Sequence, residues 1–150
     1  MSKLRFEDVL ERDGSLTYAN VGGSMLPLLR QGRDLFTVTK KGAARCRVGD
    51  VVLYRRPPDA YVLHRIVEVR PEDYVLLGDN CVRREYGITD ADILGVMTDF
   101  VRDGRAHSVT ETAYRAYTAF ILKTAPIRIV CKKRLLGAKS LLHRCKERLR

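Results

Sequence analysis

Residues 61–80 read YVLHRIVEVRPEDYVLLGDN, and this stretch decides the fold. Over Tyr61–Val69 the side chains alternate. Val62, His64, Ile66 and Glu68 fall on one face; Leu63, Arg65, Val67 and Val69 fall on the other. Successive strand side chains point to opposite faces, so the pattern predicts a strand. Pro71-Glu72-Asp73 supplies a turn. Tyr74–Leu77 then returns as the hairpin partner and ends at Gly78-Asp79-Asn80.

The same punctuation extends in both directions. Leu16–Val21 and Asp34–Lys40 read as strands, separated by the break Gly22-Gly23-Ser24-Met25-Leu26-Pro27. Val48-Gly49-Asp50 turns into a short buried strand, Val51–Tyr54, and Ile93–Phe100 closes the series before the turn Arg102-Asp103-Gly104. About six short strands with Gly, Pro and Asp turns predict a mainly β body of coiled antiparallel sheets over residues 16–104. Ahead of it, residues 1–15 read as a short amphipathic helix with Leu4, Val9 and Leu10, stopped near Asp13-Gly14. After it, residues 105–150 read as a helical tail. Tyr114, Tyr117, Phe120 and Ile121 recur at helical spacing up to Thr124, Pro126 breaks or restarts the helix, and a second stripe runs from Ile127 to Leu149.

The chain has 150 residues and a net charge of +10. One domain with a true core fits that length. Residues 1–100 hold 15 Lys/Arg and 15 Asp/Glu, whereas residues 101–150 hold 13 and 3. The body is neutral and the tail carries the whole excess, so an anionic partner would meet the tail. Three readings of the tail stand. It packs on the body with a solvated basic face, it lies on an anionic membrane through residues 126–150, or it binds nucleic acid. No base-reading motif accompanies Lys132-Lys133-Arg134, which disfavours the last. There is no apolar leader and no run of about 18 apolar residues. The expected location is therefore cytoplasmic, with peripheral contact at the cytoplasmic membrane face. Cys46, Cys81, Cys131 and Cys145 form no CxxC pair and read as reduced thiols. No cofactor or metal is called for.

The residues able to carry chemistry are few. Ser24 follows two glycines, which let a backbone approach a substrate closely, and a nucleophile must be unshielded with a base in reach. His64 lies on an apolar strand face, where partial burial tunes an imidazole for general-base work. His107 and His143 read as solvated. Asp79 and Glu85 are the acids placed to orient His64 through its second nitrogen, while Asp34 and Asp50 read as turn residues.

Gly23-Ser24-Met25-Leu26-Pro27, Gly32-Arg33-Asp34, Val48-Gly49-Asp50-Val51-Val52, Val62-Leu63-His64-Arg65-Ile66-Val67 and Leu77-Gly78-Asp79-Asn80, in that order, resemble the signal peptidase I family and its LexA-like relatives. The resemblance covers about residues 16–98. It implies a serine endopeptidase that binds extended peptide by strand addition and cuts after small residues, with Ser24 as nucleophile. His64 stands where bacterial signal peptidases and LexA-like proteins have lysine, as in the histidine-using branch of the family. That branch takes its acid downstream of the Gly-Asp-Asn box, where Glu85 stands. Asp79 matches the box aspartate, so Glu85 and Asp79 are rival or cooperating partners of His64. Two departures are visible: an extra residue inside the Gly-Asp pair at Gly32-Arg33-Asp34, and Gly22 where many relatives have a serine. The alternatives are a peptide-binding module on the same fold that no longer turns over, and a self-cleaving LexA-like regulator with Ala43-Ala44 as a conceivable cut site.

Overall fold

The computed structural model describes residues 5–148, with side chains for residues 5–140. His143, Cys145 and the end of the tail's apolar stripe lie outside the described side chains, and Leu4 lies outside the described residues. The protein is mainly antiparallel β, with a short N-terminal helix and a C-terminal helix.

Helix α1 (Phe6–Asp13) ends where Gly14 turns left-handed at φ 72°, a conformation glycine adopts without strain. Its Leu10 is buried in the core. Eight strands follow: β1 (Ser15–Ala19), β2 (Leu35–Lys40), β3 (Val51–Arg56), β4 (Ala60–Val69), β5 (Tyr74–Leu77), β6 (Glu85–Ile88), β7 (Ile93–Arg102) and β8 (Arg105–Ser108). They form one sheet in the order β1-β2-β7-β3-β4-β5-β6, with β8 also on β7.

Strand β3 shows how the sheet is held. Val51, Val52, Leu53 and Tyr54 are all buried. Val51 and Leu53 enter one apolar cluster, with Met25, Leu29, Phe36, Leu63 and Met97. Val52 and Tyr54 enter a second, with Ile66, Tyr74, Leu76 and Ile88. Both faces of this strand are covered, which is why its sequence is a continuous apolar run rather than an alternation.

The expected strands are present, and the structure adds two. Strand β6 was hidden in the loop after Asn80. Strand β8 lies past residue 104, in what reads as tail. Asp103 (φ 51°) and Gly104 (φ 74°) form a two-residue turn whose positive φ values match the twist of a hairpin, so the chain returns along β7. The β body therefore runs to Ser108. His107, expected to be solvated, sits on β8 stacked against Phe100 with Nδ1 3.1 Å from Glu111.

The tail is one helix, α2 (Thr112–Arg148), and Pro126 neither breaks nor restarts it. Proline removes one backbone donor, but Pro126 is on the exposed side. On the turn around it, Thr124 donates to the Phe120 carbonyl (2.7 Å) and Arg128 to the Ile121 carbonyl (2.8 Å). Tyr114, Ile121 and Ala125 bury the inner face. Among the described residues, no helix is long and apolar enough to cross a membrane.

Candidate active site

The site is assembled at the ends of three segments. The first is the loop between β1 and β2. Asn20, almost fully buried, donates from Nδ2 to the Gly22 carbonyl (3.1 Å), while its own carbonyl accepts from Gly32 N–H (3.2 Å). Asp34 closes the same loop through Arg30, whose guanidinium holds its carboxyl at about 2, well below the usual carboxylate range. Ser24 sits partly exposed at the head of this loop. Among the described residues neither its hydroxyl nor its N–H is spent on a hydrogen bond.

The second segment is β4. Antiparallel pairing with β3 sets Val52 opposite His64 and Tyr54 opposite Val62, so Tyr54, Arg56 and His64 share one face. His64 is 4% exposed. Its Nδ1 lies 2.9 Å from Glu85 Oε1 and 3.3 Å from the Tyr54 hydroxyl. Burial pushes the His64 pKa down, and the Glu85 charge only partly opposes this, so the imidazole is neutral near pH 7. For Glu85, burial alone would raise the carboxyl. Hydrogen bonds from Arg56 and Tyr54, with the nearby His64, outweigh it and hold the group low. Arg56 grips Glu85 with both Nε (2.9 Å) and Nη2.

The third segment is Gly78-Asp79-Asn80, after β5. Asn80 N–H donates to the Ser24 carbonyl (2.8 Å), and its Nδ2 donates to the Gly23 carbonyl (2.9 Å). Gly78 fills the space between the other two segments. A Cβ placed on it would lie 2.7 Å from the Ser24 carbonyl oxygen and 3.0 Å from His64 Cδ2. Cδ2 is bonded to Nε2, so the ring edge away from Glu85 is the one that faces the serine loop.

The structure separates the two acids. Glu85 meets His64. The Asp79 carboxylate faces Arg65 instead, accepting from its Nε and Nη2 at 2.8 Å each, and from Tyr117 Oη at 2.8 Å. Helix α2 closes over this loop: Arg128 reaches the Asp79 carbonyl, and Lys132 reaches the Asn80 carbonyl and Oδ1. Cys81 Sγ stands 4.0 Å from His64 Nε2. Beside the ring opens a cleft of about 520 Å³, lined by Arg56, His64, Asn80, Cys81, Val82, Arg83, Glu85 and Lys132.

Tyr54, Arg56, Cys81 and Lys132 are members that the sequence reading did not single out. The signal for Tyr54 was present: pairing Val51–Tyr54 with the His64 strand puts every second residue on the histidine's face. Arg56 lies past that expected strand, in a stretch that reads as loop, and joins the face because β3 extends to it. Lys132 had no such signal, because its position depends on how a helix docks, 52 residues further along the chain than Asn80. Among the described residues, no three His, Cys, Asp or Glu side chains gather as a metal site. The chain matches no protein-family model and no curated protein.

Proposed function

We propose that this protein is a serine endopeptidase of the signal peptidase type, with Ser24 as nucleophile, His64 as general base and Glu85 as the residue that orients the imidazole. One observation carries the reading. A buried, neutral histidine has one nitrogen fixed by a carboxylate, and Gly78 alone separates its Cδ2 edge from the backbone carbonyl of Ser24, whose hydroxyl has no hydrogen-bond partner among the described residues. That is the division of labour in a Ser-His-acid triad. His64 takes the Ser24 proton as Oγ attacks a peptide carbonyl. The Ser24 N–H, without a hydrogen-bond partner among the described residues, is available to the oxyanion. His64 then protonates the leaving amine and activates the water that hydrolyses the acyl-enzyme.

Cleavage in trans fits better than self-cleavage. Ala43-Ala44 lies on an exposed loop tied to the far end of the sheet, with Lys41 2.9 Å from Asp90 and Arg45 3.2 Å from the Tyr74 hydroxyl. The test is a diverse peptide library read by mass spectrometry, with Ser24→Ala and His64→Ala alongside. Cuts made by the wild type and lost in both variants support the reading. Cuts that persist in Ser24→Ala refute it. Peptide retained without cuts points to the binding module instead.

The partner reading concerns α2. Phe120, Ile127, Val130 and Leu135 are large apolar side chains exposed on a helix rich in Lys and Arg, a combination suited to lying on an anionic lipid surface. Co-sedimentation with anionic and neutral vesicles over a salt series tests it. Equal recovery with both vesicle types removes the membrane.

A further inference from the structure

The peptidase mechanism makes no use of Cys81, yet this side chain is the one that meets His64 Nε2 among the described residues, at 4.0 Å. The other ring nitrogen is already held by Glu85. Thiol, imidazole and carboxylate thus stand in the order nucleophile, base, orienter. The thiol is half-buried and lines the cleft of about 520 Å³, a size that suits a small molecule. Arg56, Arg83 and Lys132 also line that cleft against the single acid Glu85, so its field favours an anion. Arg83 is exposed and has no partner among the described residues, whereas Arg56 is engaged with Glu85 and Lys132 with Asn80.

Two other described thiols set the contrast. Cys46 is buried, and Cys131 is exposed on α2. Burial pushes the Cys81 thiol up, with Lys132 opposing, so its resting form is the protonated thiol and exchange requires a base.

We infer that Cys81 is a thiol-exchange site for small anionic disulfides, with His64 as its base, and that the mixed disulfide blocks the cleft beside His64. His64 takes the Cys81 proton. The thiolate attacks one sulfur of the disulfide, the Cys81–sulfur bond forms and the original S–S bond breaks. The departing thiolate recovers the proton from His64. Cys81 is oxidised, the disulfide is reduced to one thiol, and added thiol reverses the step. The Cβ position of Gly78 is 2.7 Å from both Cys81 Sγ and the Ser24 carbonyl oxygen, so an adduct on Sγ is lodged against the serine loop. Loss of cleavage on modification rests on the peptidase reading; the exchange itself does not.

The experiment uses the full chain with oxidised glutathione as the anionic probe and hydroxyethyl disulfide as the neutral one. Peptide mass spectrometry follows Cys81, Cys131 and Cys46 separately. The expected result is adduct at Cys81 that forms about tenfold or more slowly in His64→Gln, with the Cys131 rate unchanged. Equal Cys81 rates in wild type and His64→Gln, or no Cys81 adduct while Cys131 reacts, overturn the site. Labelling of Cys46 would betray a misfolded variant. Arg83→Ser, a surface change, then decides: it should slow the glutathione reaction at Cys81 severalfold and leave the neutral probe unaffected, and an unchanged ratio overturns the anionic class. Cleavage should fall in step with Cys81 adduct and return with dithiothreitol. Full cleavage by the adduct overturns the blocking role. A chain that cleaves no peptide fails the peptidase reading and leaves the exchange rates to decide this one.

Discussion

His64 and Arg65 are neighbours on one strand, each buried and each set against a carboxylate, yet their surroundings assign them opposite kinds of work. Every guanidinium nitrogen of Arg65 is engaged. Besides Asp79 it donates to the Gly49 carbonyl (2.8 Å), Thr118 (3.1 Å) and Tyr114 (3.3 Å), and its guanidinium lies 5.7 Å from the ring centres of Tyr114 and Tyr117. His64 has only one nitrogen held by a carboxylate; the other meets nothing firmer than the Cys81 thiol at 4.0 Å, and that edge faces the serine loop and the open cleft. A saturated buried ion pair ties β4, the Gly78–Asn80 loop and α2 together. An unsaturated buried pair has capacity left for a reaction. The strand's period of two places these functions on opposite faces, one residue apart.

The sharpest way to break this comparison is to neutralise each acid in turn. Glu85→Gln keeps the shape but loses the charge that orients His64. Cleavage should fall by about 10²–10⁴-fold, with little change in unfolding free energy. Asp79→Asn should do the reverse, losing stability first. Steady-state kinetics and urea unfolding on both variants check this. If Asp79→Asn costs more activity than Glu85→Gln at equal stability, the assignment of the two acids is wrong.

Removing the cation of the saturated pair is the next largest effect. Arg65→Met leaves Asp79 buried with only Tyr117 to bond it. Breaking one side of a buried pair is expected to cost about 3–5 kcal/mol. Urea titration measures it, and a loss no larger than that of an exposed Arg33→Met control would show that the pair is not saturated as described.

Gly78 tests the junction between the two pairs. In Gly78→Ala the new methyl would meet a backbone oxygen at 2.7 Å, which must shift, and overpacking of this kind costs about 1–3 kcal/mol. Gly95 is a matched control. Its Cβ would lie 2.9 Å from the Thr39 carbonyl oxygen, far from the histidine along the chain and in the β2–β7 pairing. Both variants should lose similar stability, but only Gly78→Ala should lose cleavage beyond what its stability explains.

Much of this was legible in residues 61–80. The alternation there, with Pro and Gly punctuation, specified the β4–β5 hairpin, and the same reasoning located β2, β3 and β7. Strand β6 was not legible, because Glu85-Tyr86-Gly87-Ile88 is short, polar and interrupted by glycine. It is a strand because β5 offers a free edge. Strand β8 was masked by the charge change at the tail. Both Asp79 and Glu85 were legible as candidates, but their separation was not. It depends on Arg65, which is fully buried in the fold and takes the Asp79 carboxylate for itself, a pairing that the strand pattern alone does not specify.

A pH series sharpens the His64 side of the comparison. Its folded pKa lies below the ordinary 6.5 because burial disfavours the charged ring. Below 6.5 the unfolded chain therefore binds a proton that the folded chain refuses. The His64 contribution to stability is full above that pH and declines as pH falls toward the folded value. The cleavage rate on the acid side should follow the folded value, with kcat/KM half-maximal below 6.5. In Glu85→Gln the supporting charge is gone, and the half-point should move further down. A half-point above 6.5 in the wild type would mean that the titrating base is not this buried ring.

The smallest effect separates the two faces of α2. Lys132 points inward to Asn80, which in turn holds the Gly23 and Ser24 carbonyls, while Lys133 is exposed. Lys132→Met should lower kcat severalfold with KM unchanged, because the loss is in positioning the serine loop and not in binding peptide. Lys132→Arg, which keeps a donor, should recover part of it. Lys133→Met should leave cleavage alone and weaken binding to anionic vesicles by about 1 kcal/mol, the contribution of one cation near such a surface. Opposite outcomes for the two lysines would invert the helix, placing its catalytic contact on the face now read as facing lipid.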